Sequence, residues 1–168
     1  MRTQSLLEVV GIFEAAGVRA LIVGGYAVIA HGVIRATMDL DLVLDLAAPG
    51  LRPALEACAG AGYRPRAPIA LADFADAGNR ARWTVEKDMQ AFTMWRHQPP
   101  HLPDEVDLFI HSPFPFEPAW ADALVQEVPG GRRLRFVDRG RLAAMKRAAG
   151  RPKDLLDLSE LERLHGTL

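Results

Sequence analysis

The chain has 168 residues, of which 49% are hydrophobic and 24% charged, with a net charge of −1 at pH 7. These values are typical of a globular domain and exclude collagen-like and low-complexity classes, while a single cysteine, Cys58, excludes an internal disulfide. We expect Cys58 to be a small buried apolar side chain. Because no apolar run reaches the roughly 20 residues of a membrane span and no leader pattern begins the chain, we predict a cytoplasmic protein without a membrane segment.

The first half of the chain is predicted to alternate between helices and strands. Apolar spacing and glycine stops predict helices over residues 4–16, 26–31 and 51–61 and strands over residues 19–23 and 38–44. The following stretch, residues 63–90, is expected to contain only short strand-like pieces, because prolines and Gly78 interrupt it.

The second half is predicted to contain strands first and helices last. The predicted strands cover residues 91–95 and 105–110 and a hairpin of residues 124–128 and 132–137, whereas the prolines of residues 112–118 exclude a helix interior or a central strand. A helix over 138–149 follows, with Asp138 as N-cap and Gly150 as its end.

The last predicted helix starts at Pro152, and Leu155, Leu158, Leu161 and Leu164 are expected to form one apolar stripe along it. The order of elements predicts an α+β protein, with a mixed β-sheet flanked by helices. We interpret residues 1–168 as one domain, with a core over 17–137 and a C-terminal helical part over 138–168.

Two aspartates on a predicted strand are the first candidates for chemistry. Asp39 and Asp41 are two residues apart, so both side chains leave the same face, while Leu40 and Leu42 face the core. Two like charges this close are unfavourable without a cation, and Mg²⁺ prefers such oxygen ligands. The pair alone is a weak signal, because among 12 aspartates about one such spacing arises by chance.

A third carboxylate strengthens the pattern. Asp107 lies on a second predicted strand, where Val106 and Leu108 would face the core and Asp107 the opposite side. Three carboxylates from two strands suffice to bind two metal ions about 3.5–4 Å apart. Glu105 shares the face of Asp107 and is the reserve candidate.

Two further regions are candidates for phosphate binding. Gly24 and Gly25 follow a buried strand and open a helix, where backbone N–H groups can approach an anion, although a simple turn would use the same residues. Arg35 and Thr37 precede the aspartate pair closely enough to reach the same ligand.

A basic segment lies near the C-terminus. Residues 132–153 contain nine Lys or Arg residues against the single acid Asp138, a local charge of +8. Such a segment attracts phosphates, so Lys146, Arg151 and Lys153 are candidates to neutralise a triphosphate. The alternative is a solvated helix face that acids elsewhere in the fold balance.

These residues together resemble a known family, the small nucleotidyltransferases of the polymerase β superfamily. The first part of the resemblance is Gly24-Gly25-Tyr26-Ala27, His31-Gly32, Arg35, Thr37 and Asp39-Leu40-Asp41-Leu42. The second part is Lys146 with Gly150-Arg151-Pro152-Lys153-Asp154-Leu155-Leu156-Asp157, which is similar to the C-terminal motif of AbiEii-type toxins and related minimal bacterial enzymes.

The resemblance implies the nucleotidyltransferase fold, an NTP substrate and two Mg²⁺ ions, for which Mn²⁺ can substitute. It assigns Asp39 and Asp41 to both ions, Asp107 to the ion that activates the acceptor hydroxyl, and Lys146 to the triphosphate. The residues that we predict to bind the nucleotide are Gly24, Gly25, Arg35, Thr37, Arg151, Lys153 and Asp154. Asp157 would shape the nucleotide and acceptor side together with Lys153 and Asp154.

The implied reaction transfers a nucleoside monophosphate from an NTP to a hydroxyl of RNA (notably a tRNA 3′ end), of a protein side chain or of a small molecule. A toxin role with a cognate antitoxin follows by family analogy alone. Since the toxins commonly carry a larger C-terminal helical region, acceptor recognition would need a partner, a homo-oligomer or a smaller surface here. The alternatives are a non-catalytic nucleotide-binding or regulatory protein on the same fold and, ranked lower, a glycosyltransferase.

Overall fold

The computed structural model describes residues 3–168. Its helices are α1 (Thr3–Ala15), α2 (Gly24–Ala30), α3 (Leu51–Gly60), α4 (Ala77–Lys87), α5 (Phe116–Ala121), α6 (Arg139–Ala149) and α7 (Pro152–His165), with a 3-10 helix at Leu71–Ala75. Its strands are β1 (Ala20–Ile22), β2 (Asp39–Leu44), β3 (Arg64–Pro65), β4 (Ala91–Arg96), β5 (Asp104–Phe109), β6 (Leu124–Glu127) and β7 (Arg133–Phe136). Within residues 3–168 no helix combines the length and the apolar character that crossing a bilayer requires.

The strand order is β3-β4-β5-β2-β1-β7-β6. The pairs β2–β5 and β1–β7 are parallel, and the pairs β3–β4, β4–β5 and β6–β7 are antiparallel, so the predicted α+β class with a mixed sheet is confirmed. The chain divides into two compact units. The first unit holds the residues up to Ala20 and Met38–Ser112, and the second holds Leu21–Thr37 and Pro113–Leu168.

The first unit is built on β2, β5 and β4. Leu40 and Leu42 of β2 and Val106 and Leu108 of β5 are fully buried, because the strands alternate with period two and turn these side chains to the core. Cys58 of α3 is buried as predicted. This packing turns the alternate positions of β2 and β5, which carry carboxylates, to the opposite face.

Residues 63–90 confirm the prediction of short strand-like pieces only at β3, since most of this stretch is helical. Asp76 accepts a hydrogen bond from Asn79 N at 2.8 Å and so caps α4, and Gly78 lies in the first turn, where it does not break the helix. Trp83 of α4 stacks on Phe92 of β4 with a centroid distance of 5.5 Å. Burial of Trp83 against the sheet thus stabilises α4, which the local sequence pattern did not predict.

A buried polar cluster fixes the start of β5. Arg96 at the end of β4 pairs with Asp104 at 3.5 Å and with Glu8 at 2.7 Å, and its guanidinium lies 4.4 Å from the centre of the Tyr63 ring. Ser5 of α1 donates a hydrogen bond to Asp104 at 2.6 Å. Because Arg96 and Asp104 are also register partners, these contacts hold the alignment of β4 with β5.

The second unit contains the predicted hairpin β6–β7 and the last helices. Asp138 caps α6 by accepting from Arg141 N at 3.0 Å, and Gly150 ends α6 in the left-handed conformation with φ 61°, both as predicted. The short helix α5 begins within the proline-rich stretch, with Pro118 in its first turn, where no helical hydrogen bond is lost.

Helix α7 corrects the predicted leucine stripe. Leu158 and Leu161 are buried, but Leu155 is 51% exposed and Leu164 is 43% exposed. The buried face instead continues through Asp154 and Asp157. Both spacings are helical, and the aspartates are buried because each pairs with cations of the second unit.

The orientation of α7 is tested by two alanine substitutions. Leu161→Ala removes a fully buried side chain and should lower the free energy of unfolding by about 2–5 kcal/mol. The control Leu155→Ala changes an exposed side chain and should cost less than about 0.5 kcal/mol. Chemical denaturation of both variants measures the difference, and equal losses would contradict the orientation.

Candidate functional site

Three carboxylates meet on the exposed face of β2 and β5. The parallel register places Asp41 opposite Asp107 and Asp39 opposite Glu105. One carboxylate oxygen each of Asp39, Asp41 and Asp107 lies within 4.8 Å of the other two, and all three residues are half-buried. The structure therefore brings together the three residues that the sequence analysis predicted to bind metal, and their role as ligands stays a prediction.

The electrostatics of the triad favour a bound cation. Burial raises the pKa of Asp107, a hydrogen bond from Thr93 counteracts this, and the negative charges of Glu105 and Asp39 raise the pKa further. Three neighbouring carboxylates repel one another when all are ionised, and a divalent ion removes that cost. The donor set contains only carboxylate oxygens, so it fits Mg²⁺ or Mn²⁺ better than a metal that prefers nitrogen or sulfur ligands.

The reserve candidate Glu105 has another partner. It shares the face of the triad, but its carboxylate forms an ion pair with Arg66. Within residues 3–168, the carboxylates close enough to share a metal ion are those of Asp39, Asp41 and Asp107, and Glu105 is not among them.

In the second unit, the predicted phosphate-binding glycines lie beside the Arg35–Thr37 segment. Helix α2 begins at Gly24, which has φ 61°, a conformation that glycine adopts without strain. A Cβ atom on Gly25 would lie 2.3 Å from Thr37 Oγ1 and 3.4 Å from Arg35 Nη2. A side chain at position 25 would therefore displace Thr37, so the glycine permits a close approach and is more than a turn residue.

The second unit also joins five of the predicted residues in one network of ion pairs. Lys146 is 6% exposed, and its ammonium donates to Asp154 Oδ1 at 2.8 Å and to Asp157 Oδ2 at 2.7 Å. Arg35 donates to Asp157 Oδ2 at 2.5 Å, and Arg151 donates to Asp154 Oδ2 at 2.5 Å. Two of the three ammonium hydrogens of Lys146 are thus used by aspartates.

The network favours the ionised form of Asp154. Burial alone would raise the pKa of Asp154, but hydrogen bonds from Arg151 and Lys146 outweigh it and hold the pKa below its ordinary value. Lys153, which the sequence analysis placed at the nucleotide, is exposed in the first turn of α7 and has no part in the contacts of this network.

The basic segment 132–153 is partly balanced by acids. Besides Lys146 and Arg151, Arg141 pairs with Asp122 at 2.9 Å and with Asp138 at 2.5 Å, and Arg147 pairs with Glu162 at 2.7 Å. Several of these acids lie outside the segment, so its local charge of +8 overstates the positive charge offered to a ligand.

Comparison with solved structures identifies the fold. The lincosamide antibiotic adenylyltransferase LnuA, bound to lincomycin, superposes with a TM-score of 0.60 at 13% identity, over 96% of this chain and 97% of that one. An antigenic nucleotidyltransferase-like protein from Paracoccidioides brasiliensis superposes with a TM-score of 0.57 at 14% identity, over 98% of this chain and 78% of that one.

No profile of a known protein family matches the sequence, and no curated protein matches it either. The two solved structures show that the chain has the fold of nucleotidyltransferases. The AbiEii-type resemblance rests on the sequence motifs alone.

The network around Lys146 predicts a loss of stability in acid. In the unfolded chain the pKa of an aspartate is about 3.9, and the folded-state pKa of Asp154 is lower. The stabilisation is therefore complete above the unfolded-state pKa and is lost as the pH falls through the folded-state pKa.

Asp154→Asn should lower the free energy of unfolding by about 3 kcal/mol at pH 7, because it breaks a buried ion pair. The gap to the wild type should be constant above the unfolded-state pKa of about 3.9 and shrink as the pH falls below it. Urea denaturation of both proteins from pH 7 to acid pH measures the difference in unfolding free energy. A difference that is independent of pH would contradict the ion pairing of Asp154.

The close approach at Gly25 is tested by alanine substitution. Gly25→Ala forces Thr37 to move and should cost about 1–3 kcal/mol of unfolding free energy. The control Gly60→Ala lies in α3, where an added Cβ meets nothing within 4 Å, so it should be neutral or stabilising. Thermal unfolding of both variants compares them, and a harmless Gly25→Ala would show that this packing is wrong.

Proposed function

We propose that the chain is a Mg²⁺-dependent nucleotidyltransferase, which transfers a nucleoside monophosphate from an NTP to a hydroxyl acceptor and releases pyrophosphate. The observation that carries the proposal is the triad of Asp39, Asp41 and Asp107, whose carboxylate oxygens lie within 4.8 Å of one another. The fold shared with nucleotidyltransferases supports it independently.

The chain's own residues act by holding and orienting. Asp39, Asp41 and Asp107 bind the divalent ions, and Thr93 holds the Asp107 carboxylate in place. When bound, Mg²⁺ lowers the pKa of the acceptor hydroxyl and offsets the charge that develops on the leaving oxygens. Catalysis by this arrangement requires position and charge and no covalent intermediate with the protein.

The second unit is proposed to supply the contacts to the nucleotide. This assignment is carried by the motif resemblance and supported by the contacts that bring Gly25, Arg35 and Thr37 together. Lys146 retains one ammonium hydrogen beyond its two aspartate contacts, which suits it to a phosphate oxygen. The residues proposed to bind the nucleotide are Gly24, Gly25, Arg35, Thr37, Lys146, Arg151, Lys153 and Asp154.

Among the acceptor classes, we propose a small hydroxyl-bearing molecule. The solved adenylyltransferase on the same fold is bound to lincomycin, a small molecule, which favours a small acceptor. The ion pairs within the basic segment reduce the charge available for an RNA backbone. A toxin role with an antitoxin partner has only the motif resemblance as its support.

Substitution of the triad tests the reaction. Asp39→Asn and Asp41→Asn should each abolish transfer of label from α-labelled NTPs, because two ligands of the ion are needed. Without metal, both variants should melt at the same temperature as the wild type or higher, since a like charge has been removed.

The matched control is Asp88→Asn, at an αL position that asparagine tolerates, and it should retain full activity. The assay offers each of the four NTPs with small hydroxylated compounds, cellular RNA and cellular protein in separate reactions. A triad variant with full transfer activity would refute the role of these aspartates as metal ligands. Nucleotide binding without transfer to any acceptor would favour the non-catalytic alternative.

A further inference from the structure

We propose that Thr93 and Arg66 are positioning residues that determine which carboxylate of β5 completes the metal site. Thr93 orients Asp107 for the ion, and Arg66 keeps Glu105 away from it. The inference rests on the proposed metal site and adds the two residues that select its third ligand.

The strand register alone does not make this selection. On one face, Thr93 of β4 lies opposite Asp107, which lies opposite Asp41 of β2. In the next row of the same face, Glu105 lies opposite Asp39. Each β2 aspartate thus has a β5 carboxylate as its register partner, and Asp107 and Glu105 offer the same ligand chemistry. Contacts from outside β2 and β5 distinguish them further.

Thr93 restrains Asp107 from the neighbouring strand. Its Oγ1 donates to Asp107 Oδ1 at 2.5 Å, and as a β-branched residue in a strand Thr93 has little freedom at χ1. The hydrogen bond fixes the plane of the carboxylate while its second oxygen remains as a ligand atom. Outer hydrogen bonds to ligating carboxylates typically contribute 10–100-fold to metal affinity.

Arg66 holds Glu105 away from the metal ion. Its guanidinium forms an ion pair with Glu105 Oε2. The backbone N–H of Arg66 donates to the carbonyl of Thr93 at 3.0 Å, so Arg66 is anchored to the same residue that holds Asp107. The pair also offsets one negative charge beside the triad, which lowers the repulsion that the ion must overcome.

Direct titration with Mn²⁺, followed by the electron paramagnetic resonance of the free ion, tests the role of Thr93. Thr93→Val keeps the shape but removes the hydroxyl, and it should weaken Mn²⁺ binding about tenfold or more. Thr93→Ser restores a hydroxyl and should recover most of the affinity. The matched control is Thr84→Val in α4, whose hydroxyl donates to the carbonyl of Arg80, and it should leave the affinity unchanged.

A double-mutant cycle tests Arg66. In the wild-type background, Glu105→Gln should change the Mn²⁺ affinity less than about twofold. In the Arg66→Gln background, the released Glu105 competes for the ion, so the same substitution should change the affinity at least about fivefold. Equal effects in both backgrounds, or unchanged binding in Thr93→Val, would overturn the inference.

The outcomes separate this inference from the proposed function. If the wild type binds Mn²⁺, Asp41→Asn does not, and Thr93→Val binds like the wild type, the metal site is retained and only the positioning role is wrong. If the wild type binds no Mn²⁺, the metal site and the positioning role are both wrong. Thermal unfolding of each variant identifies any loss of binding that is due to misfolding.

Discussion

Three carboxylates repel one another on one face of the sheet in the first unit, and the packing of β2 and β5 has to overcome this repulsion. The parallel pairing of β2 with β5 aligns Asp41 with Asp107, and the buried leucines and valine between the carboxylates prevent either strand from turning its acidic face elsewhere. The core therefore stabilises an arrangement that electrostatics alone would oppose. Strain of this kind at one site, compensated by packing elsewhere, is characteristic of a functional centre.

The contacts around the triad limit this repulsion without abolishing it. Thr93 donates to one carboxylate, and Arg66 pairs with the neighbouring Glu105, so the face retains a negative site of defined shape. The cluster of Arg96, Asp104 and Ser5 holds the register of β4 with β5 and thereby fixes where Thr93 meets Asp107. The geometry of the candidate metal site thus depends on a buried polar cluster and on a part-buried hydrogen bond, both on the pair of β4 and β5.

In the second unit, the charges that need compensation are positive. Lys146 and Arg35 share Asp157, and Lys146 and Arg151 share Asp154, so the buried charges are compensated within one network. Such a network costs desolvation and is strongly destabilised when one partner is removed. We interpret the network as the means of holding Lys146 and Arg35 in fixed positions.

Features that depend on local periodicity could be predicted from the sequence. Features that depend on contacts with residues distant in the sequence could not. Period-two alternation predicts the shared face of Asp39, Asp41 and Asp107, and end signals predict the cap at Asp138 and the stop at Gly150. The buried face of α7 could not be predicted, because Asp154 and Asp157 are buried only through cations outside that helix. Thr93 and Arg66 carry no signature of their own, and only the pairing of β4 with β5 relates Thr93 to the triad.

A crystal structure with Mn²⁺ and a non-hydrolysable NTP analogue would locate the metal by the anomalous signal of manganese. We expect manganese bound by Asp39, Asp41 and Asp107, with Glu105 still paired with Arg66. A nucleotide bound without metal at this triad, or manganese held by Glu105 in place of Asp107, would contradict this expectation.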